Sequence, residues 1–156
     1  MIYLDNNATT AIDPAIARRM YDLQLQGLAN PASQHRPGRL AMKRLEQAKN
    51  SLLDTLGAPN SGMETAQVIF TSGGTEANNL AVRGYAAMRP GLVIVAASEH
   101  SSLLDPAREL GPERCRVLPV DTHGRCYLQQ FEDWLKADAT RISLVSVMLG
   151  NNETGV

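Results

Sequence analysis

The run Leu92-Val93-Ile94-Val95-Ala96 constrains the fold of this chain more than any other feature. Successive side chains of a strand point to opposite faces of a sheet, so five consecutive apolar residues demand cover on both sides. Such a strand belongs inside a parallel sheet sandwiched by helices, and the rest of the chain supplies the parts. Arg116 to Pro119 and Ile142 to Met148 read as further strands, and the β-prone Gln67-Val68-Ile69-Phe70-Thr71 as another. Helical patterns alternate with them. The first starts after Asp13 as N-cap, with Pro14 at the first position, and runs to about Gly27. The second follows Pro37-Gly38, places Leu40, Leu45, Ala48, Leu52 and Leu56 at near-helical spacing and closes at Gly57. Others span Glu76 to Met88, Leu103 to Leu110 and Leu128 to Ala137. The expectation is an α/β fold, a mostly parallel sheet with helices on both faces, without internal repeat or interdomain linker.

Composition narrows the partners. The 156 residues carry 15 Lys plus Arg against 16 Asp plus Glu, a net charge of −1. That balance offers no broad positive field, which argues against nucleic acid and anionic membranes as partners and for a small-molecule ligand. With 44% hydrophobic residues the chain can bury a core. Cys115 and Cys126 are too few for a disulfide framework and lack the paired spacing of a metal site, so no metal is expected and reduced, inert thiols in a cytoplasmic protein are. The first residues lack the pattern of a signal peptide, and Leu92 to Ala97 is far too short to span a membrane.

In open α/β sheets ligands bind beyond the carboxyl ends of the strands, and three such places carry chemistry here. Ser72-Gly73-Gly74-Thr75 joins a strand pattern to a helix with two glycines, hydroxyls and the open N–H groups of a helix start. That suits a phosphate, and it also fits an ordinary capped turn. It lacks the lysine of a P-loop and the spacing of a dinucleotide fingerprint. After the 92–96 strand, Ser98-Glu99-His100-Ser101-Ser102 puts an imidazole at the mouth of the sheet, able to stack on a flat ring or move a proton, or simply to cap a helix. After the 142–148 strand, Gly150-Asn151-Asn152-Glu153-Thr154-Gly155 offers amides for a carboxylate or ring hydroxyl, residues equally at home in a loop. His35 and His123 read as loop residues, and the charges on the helices as solvated faces.

Several ordered motifs together resemble the class V aminotransferases and, within them, cysteine desulfurases of the nitrogen-fixation and iron–sulfur assembly type. They are residues 3–10 (YLDNNATT), 30–35 (NPASQH), 70–81 (FTSGGTEANNLA), 99–102 (EHSS), and 145–148 with 151–155 (NNETG). The resemblance implies the large domain of a fold-type I pyridoxal-phosphate transferase, of which residues 1–156 would be the N-terminal part. It implies pyridoxal 5'-phosphate as cofactor, with Gly74 and Thr75 at its phosphate, His100 stacked over the pyridine ring as the catalytic residue, and Asn152 near the ring hydroxyl and substrate carboxylate. It implies L-cysteine as substrate, alanine and an enzyme persulfide as products, a sulfur-acceptor protein as partner, and a homodimer in the complete enzyme. The family's cofactor-linked lysine and persulfide cysteine match no residue here: Lys43, Lys49 and Lys136 sit in helical patterns outside that context, and neither Cys115 nor Cys126 is at the persulfide position. The chain by itself is therefore expected to be inactive. The resemblance extends to selenocysteine lyases and other class V lyases, and a non-catalytic module for a phosphate ligand or a protein partner is the reading from a different class.

Overall fold

A parallel three-stranded sheet with β1 (Leu92–Ala96) at its centre organises the second of two compact units. The computed structural model describes residues 2–6, 8–60, 62 and 65–156; Asn7 of the 3–10 motif lies outside the described residues. The units are Met1–Phe70 and Thr71–Val156.

In the first unit, α1 (Pro14–Leu25) begins where Asp13 accepts from the amides of Ala15 and Ile16, as the Asp-Pro signal predicts. Its C-cap, Gln26, accepts from Arg44 Nη2 at 2.7 Å, which ties α1 to α2 (Arg36–Leu56). α2 starts just before Pro37-Gly38, because His35 is its N-cap: the imidazole Nδ1 accepts from the Gly38 amide at 3.2 Å. Gly38 is obligatory there, since a Cβ would collide with the Asn30 carbonyl and with Ser33. Gly57, at φ 65°, ends α2 in the left-handed conformation that glycine adopts without strain.

The expected strand over 67–71 is not one. Residues 65–71 run on without a ladder partner among the described residues. Ala66 and Val68 are half-buried and line a cleft with Leu53 of α2, while Ile69 and Phe70 are exposed. Local β-propensity specifies an extended backbone, but a strand exists only where a second segment takes its N–H and C=O groups.

In the second unit, α3 (Gly74–Met88), α4 (Ser101–Arg108) and α5 (Leu128–Asp138) alternate with β1, β2 (Cys115–Leu118) and β3 (Ile142–Ser146). The strand order is β2-β1-β3, with both pairings parallel. Every residue of β1 is buried, and the faces divide with period two. Val93 and Val95 pack with Val82 and Ala86 of α3 and Leu104 and Ala107 of α4; Leu92 and Ile94 pack with Leu118, Phe131 and Trp134, the last two from α5. Helices thus cover both faces, as the unbroken apolar run requires. β3 stops at Ser146, two residues short of expectation, and the strands' carboxyl ends open onto loops at 97–100, 119–127 and 147–156.

Candidate functional site

α3 has no side-chain cap. Its N-cap is Gly73, and the helix starts at Gly74, two residues before the apolar periodicity suggested. The amides of the first turn therefore remain available beside the Thr75 hydroxyl, a donor set that suits an anion. Glu76, on the same turn, is engaged elsewhere: one of its carboxylate oxygens accepts from the Ser72 hydroxyl and the Ser72 amide, both at 2.7 Å. Those two bonds, the hydroxyl's first, hold its carboxyl below the usual range.

His100 is the N-cap of α4, so its capping role is real. Nδ1 accepts from the Ser102 amide at 3.1 Å and lies 2.8 Å from Ser102 Oγ, while the ring itself is exposed. Capping occupies one nitrogen only and leaves the ring face and Nε2 for other work.

Two asparagines of α3 converge on Ser102. Asn78 Nδ2 donates to Ser102 Oγ at 2.9 Å, and Asn79 Nδ2 donates to the Ser102 carbonyl at 3.2 Å and to the Thr75 carbonyl at 2.9 Å. The second contact has a covalent cause. The Ser102 carbonyl would normally accept from the amide four residues on, but that residue is Pro106, inside α4, which has none. Asn79 supplies the missing donor, and Arg83 Nε fixes the amide's orientation by donating to Asn79 Oδ1 at 3.1 Å. The turn carrying Thr75 is thereby joined to the one carrying His100.

The third candidate element is the 147–156 loop. Asn151, not Asn152, builds it. Asn151 Oδ1 accepts from the amides of Glu153 and Thr154 at 2.9 Å, and Nδ2 donates to the Ser98 carbonyl at 3.1 Å. The loop after β3 is thus pinned to the loop after β1. Asn152 is exposed, and it lines a cleft of about 500 Å³ with His100, Glu99, Ser101, Val120 and Glu153. Glu99 is held from beneath by Ser146 Oγ, which donates to it at 2.8 Å. His100 and Asn152 therefore share one cleft at the carboxyl ends of the strands; Gly74 and Thr75 lie outside its lining, at the start of α3.

Neither thiol is activated. Burial pushes Cys115 up, against the opposing pull of Arg108, and burial followed by the Glu99 charge pushes Cys126 up. Among the described residues no group of three or more His, Cys, Asp or Glu could hold a metal ion, and no helix is long and apolar enough to cross a membrane.

The family model for class-V aminotransferases matches residues 2–156. The chain belongs to that family. Among its class-V relatives, cysteine desulfurase 2 of Trichormus variabilis is 36% identical over 160 residues, covering all of this chain and 38% of that protein. The cysteine desulfurase IscS of Aeromonas salmonicida is 39% identical over 163 residues, 99% of this chain and 38% of its own length. The structure of a NifS-like protein from Rickettsia africae superposes with a TM-score of 0.77 at 32% identity, over 100% of this chain and 41% of that one. A second NifS-like protein gives a TM-score of 0.81 at 29% identity, over 97% and 41%. This class-V chain thus spans about two fifths of the relatives it matches, over what corresponds to an N-terminal portion.

Sequence reasoning gave no role to Asn78, Asn79 or Ser102 and did not separate Asn151 from Asn152. Only Asn79 carried a readable signal, since a proline at 106 announces an orphaned carbonyl at 102.

Proposed function

We propose that residues 1–156 are the N-terminal part of a pyridoxal-phosphate-dependent cysteine desulfurase, with L-cysteine as substrate and a sulfur-acceptor protein as partner. The observation that carries the reading is the shared cleft: an imidazole and an amide, His100 and Asn152, line it together beyond the ends of β1 and β3. The donor set fits the cofactor's chemistry. The first-turn amides of α3 at Gly74 and Thr75, with the Thr75 hydroxyl, would hold its phosphate. The flat face of His100 would stack on its ring, and the Asn152 amide would bind its hydroxyl and the substrate carboxylate. When bound, the pyridine ring supplies an electron sink for the substrate Cα. The chain's own contribution is orientation and proton handling: His100 would hold or move a proton at Nε2, and Asn151 anchors the loop that carries Asn152 to Ser98, beside the His100 loop.

In the complete protein, replacing His100 by Ala should lower kcat by roughly 10²-fold or more, the usual contribution of a positioned acid or base, with little loss of fold. Replacing Thr75 by Ala should weaken retention of pyridoxal phosphate, read by its absorption during dialysis. The 156-residue chain mixed with the cofactor should release no alanine from cysteine, and borohydride reduction should label none of Lys43, Lys49 and Lys136 stoichiometrically. Full turnover by His100→Ala with a lowered melting temperature would make the histidine a cap and nothing more; turnover by the 156-residue chain itself would remove the N-terminal-part reading.

A further inference from the structure

The bonds around His100 point one way, and they reach beyond the cap. A backbone amide can only donate, so the bond from the Ser102 N–H to Nδ1 at 3.1 Å makes Nδ1 the nitrogen with the lone pair. A hydroxyl can donate or accept, but facing an unprotonated Nδ1 at 2.8 Å it has to donate. Ser102 Oγ is left free to do so because its own acceptor side is taken by Asn78 Nδ2, at 2.9 Å. The donors run in a single direction, from the Asn78 amide to the Ser102 hydroxyl to Nδ1, and the ring proton is left on Nε2.

We propose that Ser102 and Asn78 are positioning residues that hold the neutral His100 ring in its Nε2–H tautomer, so that it presents a donor to an acceptor group of the substrate. The acceptor class is a carboxylate or thiolate of an amino acid, which rests on the desulfurase reading; the tautomer rests on the bonds alone. Capping by itself does not require the hydroxyl or the asparagine. His35 makes the comparison within the same chain: its Nδ1 caps α2 through one amide, that of Gly38 at 3.2 Å, and among the described residues its ring makes no other hydrogen bond.

The test is the imidazole nitrogen spectrum of 15N-histidine-labelled protein at a pH where the rings are neutral, with His100 assigned by the loss of its signals in His100→Gln. The wild-type ring should be Nε2–H. Ser102→Ala and Asn78→Ala should each raise the Nδ1–H share roughly fivefold, the worth of one hydrogen bond. Ser102→Thr, which keeps the hydroxyl, should restore the wild-type pattern, and His35 should not change in any of them. A wild-type ring carrying its proton on Nδ1 overturns the proposal without any variant. So do unchanged His100 signals in folded Ser102→Ala or Asn78→Ala; the two replacements lie on different helices, so a folding failure in one leaves the other to decide. A tautomer shift as expected, in a complete protein that neither retains pyridoxal phosphate nor consumes cysteine, upholds the positioning role and rejects the desulfurase reading.

Discussion

At the scale of single residues, the exchange between Pro106 and Asn79 shows how one backbone defect recruits a side chain. The proline deletes a donor inside α4, and the Asn79 amide, reaching across from α3, replaces it. Asn79→Ala should therefore cost about 1 kcal/mol of stability, the usual net worth of such a bond. In a Pro106→Ala background the helix regains its own amide, and the cost of Asn79→Ala should shrink. A double-mutant cycle by urea unfolding, followed through the single tryptophan, Trp134, measures the coupling, and strict additivity would reject the account. Legibility in the sequence was uneven at this scale. His100 could be read as cap or as ring-stacking group, and the cap is present. Asn151 and Asn152 are chemically identical neighbours that both line the cleft, so nothing local told which would tie the loop through its side-chain hydrogen bonds. Ser102 and Asn78 stand 24 residues apart, and their meeting depends on how α3 and α4 pack.

At the scale of elements, the link between β2 and α5 is electrostatic as well as apolar. Arg116 on β2 donates to Asp138 at the end of α5, 2.8 Å away, and its guanidinium lies 5.5 Å from the centre of the Trp134 ring. The Arg116 hydrogen bond is the main reason that the Asp138 carboxyl is held below its ordinary value. A depressed carboxylate adds stability above the unfolded-state pKa, about 3.9, and that contribution disappears as the pH falls through the lower folded value. Asp138→Asn should thus be less stable than the wild type near neutrality, and the gap should close on acidification below roughly pH 4. Denaturant midpoints at several pH values check it; a gap independent of pH would assign the loss to packing. The elements themselves were largely readable. Asp13-Pro14, Gly57 and the run 92–96 carry their own stop, start and burial signals, and the structure follows each. The segment 67–71 misled because its residues favour extended backbone whether or not a neighbouring strand exists.

For the molecule as a whole, stability should be graded outward from β1, whose residues are all buried and which, among the described residues, is the one strand paired on both sides. Amides of Val93 to Ala96 should be the slowest to exchange with deuterium, while those of Val68, Ile69 and Phe70, outside any ladder among the described residues, should exchange early. Strong protection of Val68 to Phe70 in a monodisperse monomer would mean that the chain pairs this segment after all. The α/β class and the covering of both faces could be deduced from composition and period, whereas the number and order of strands could not, since pairing is decided by segments far apart in the chain. That separation also sets a timetable. β1 leaves the ribosome before either of its neighbours, and β3 is complete only some fifty residues later. At about 5–20 residues per second, the most apolar stretch of the protein waits roughly 3–10 seconds for its second partner, and through that interval a nascent chain must keep it from finding another.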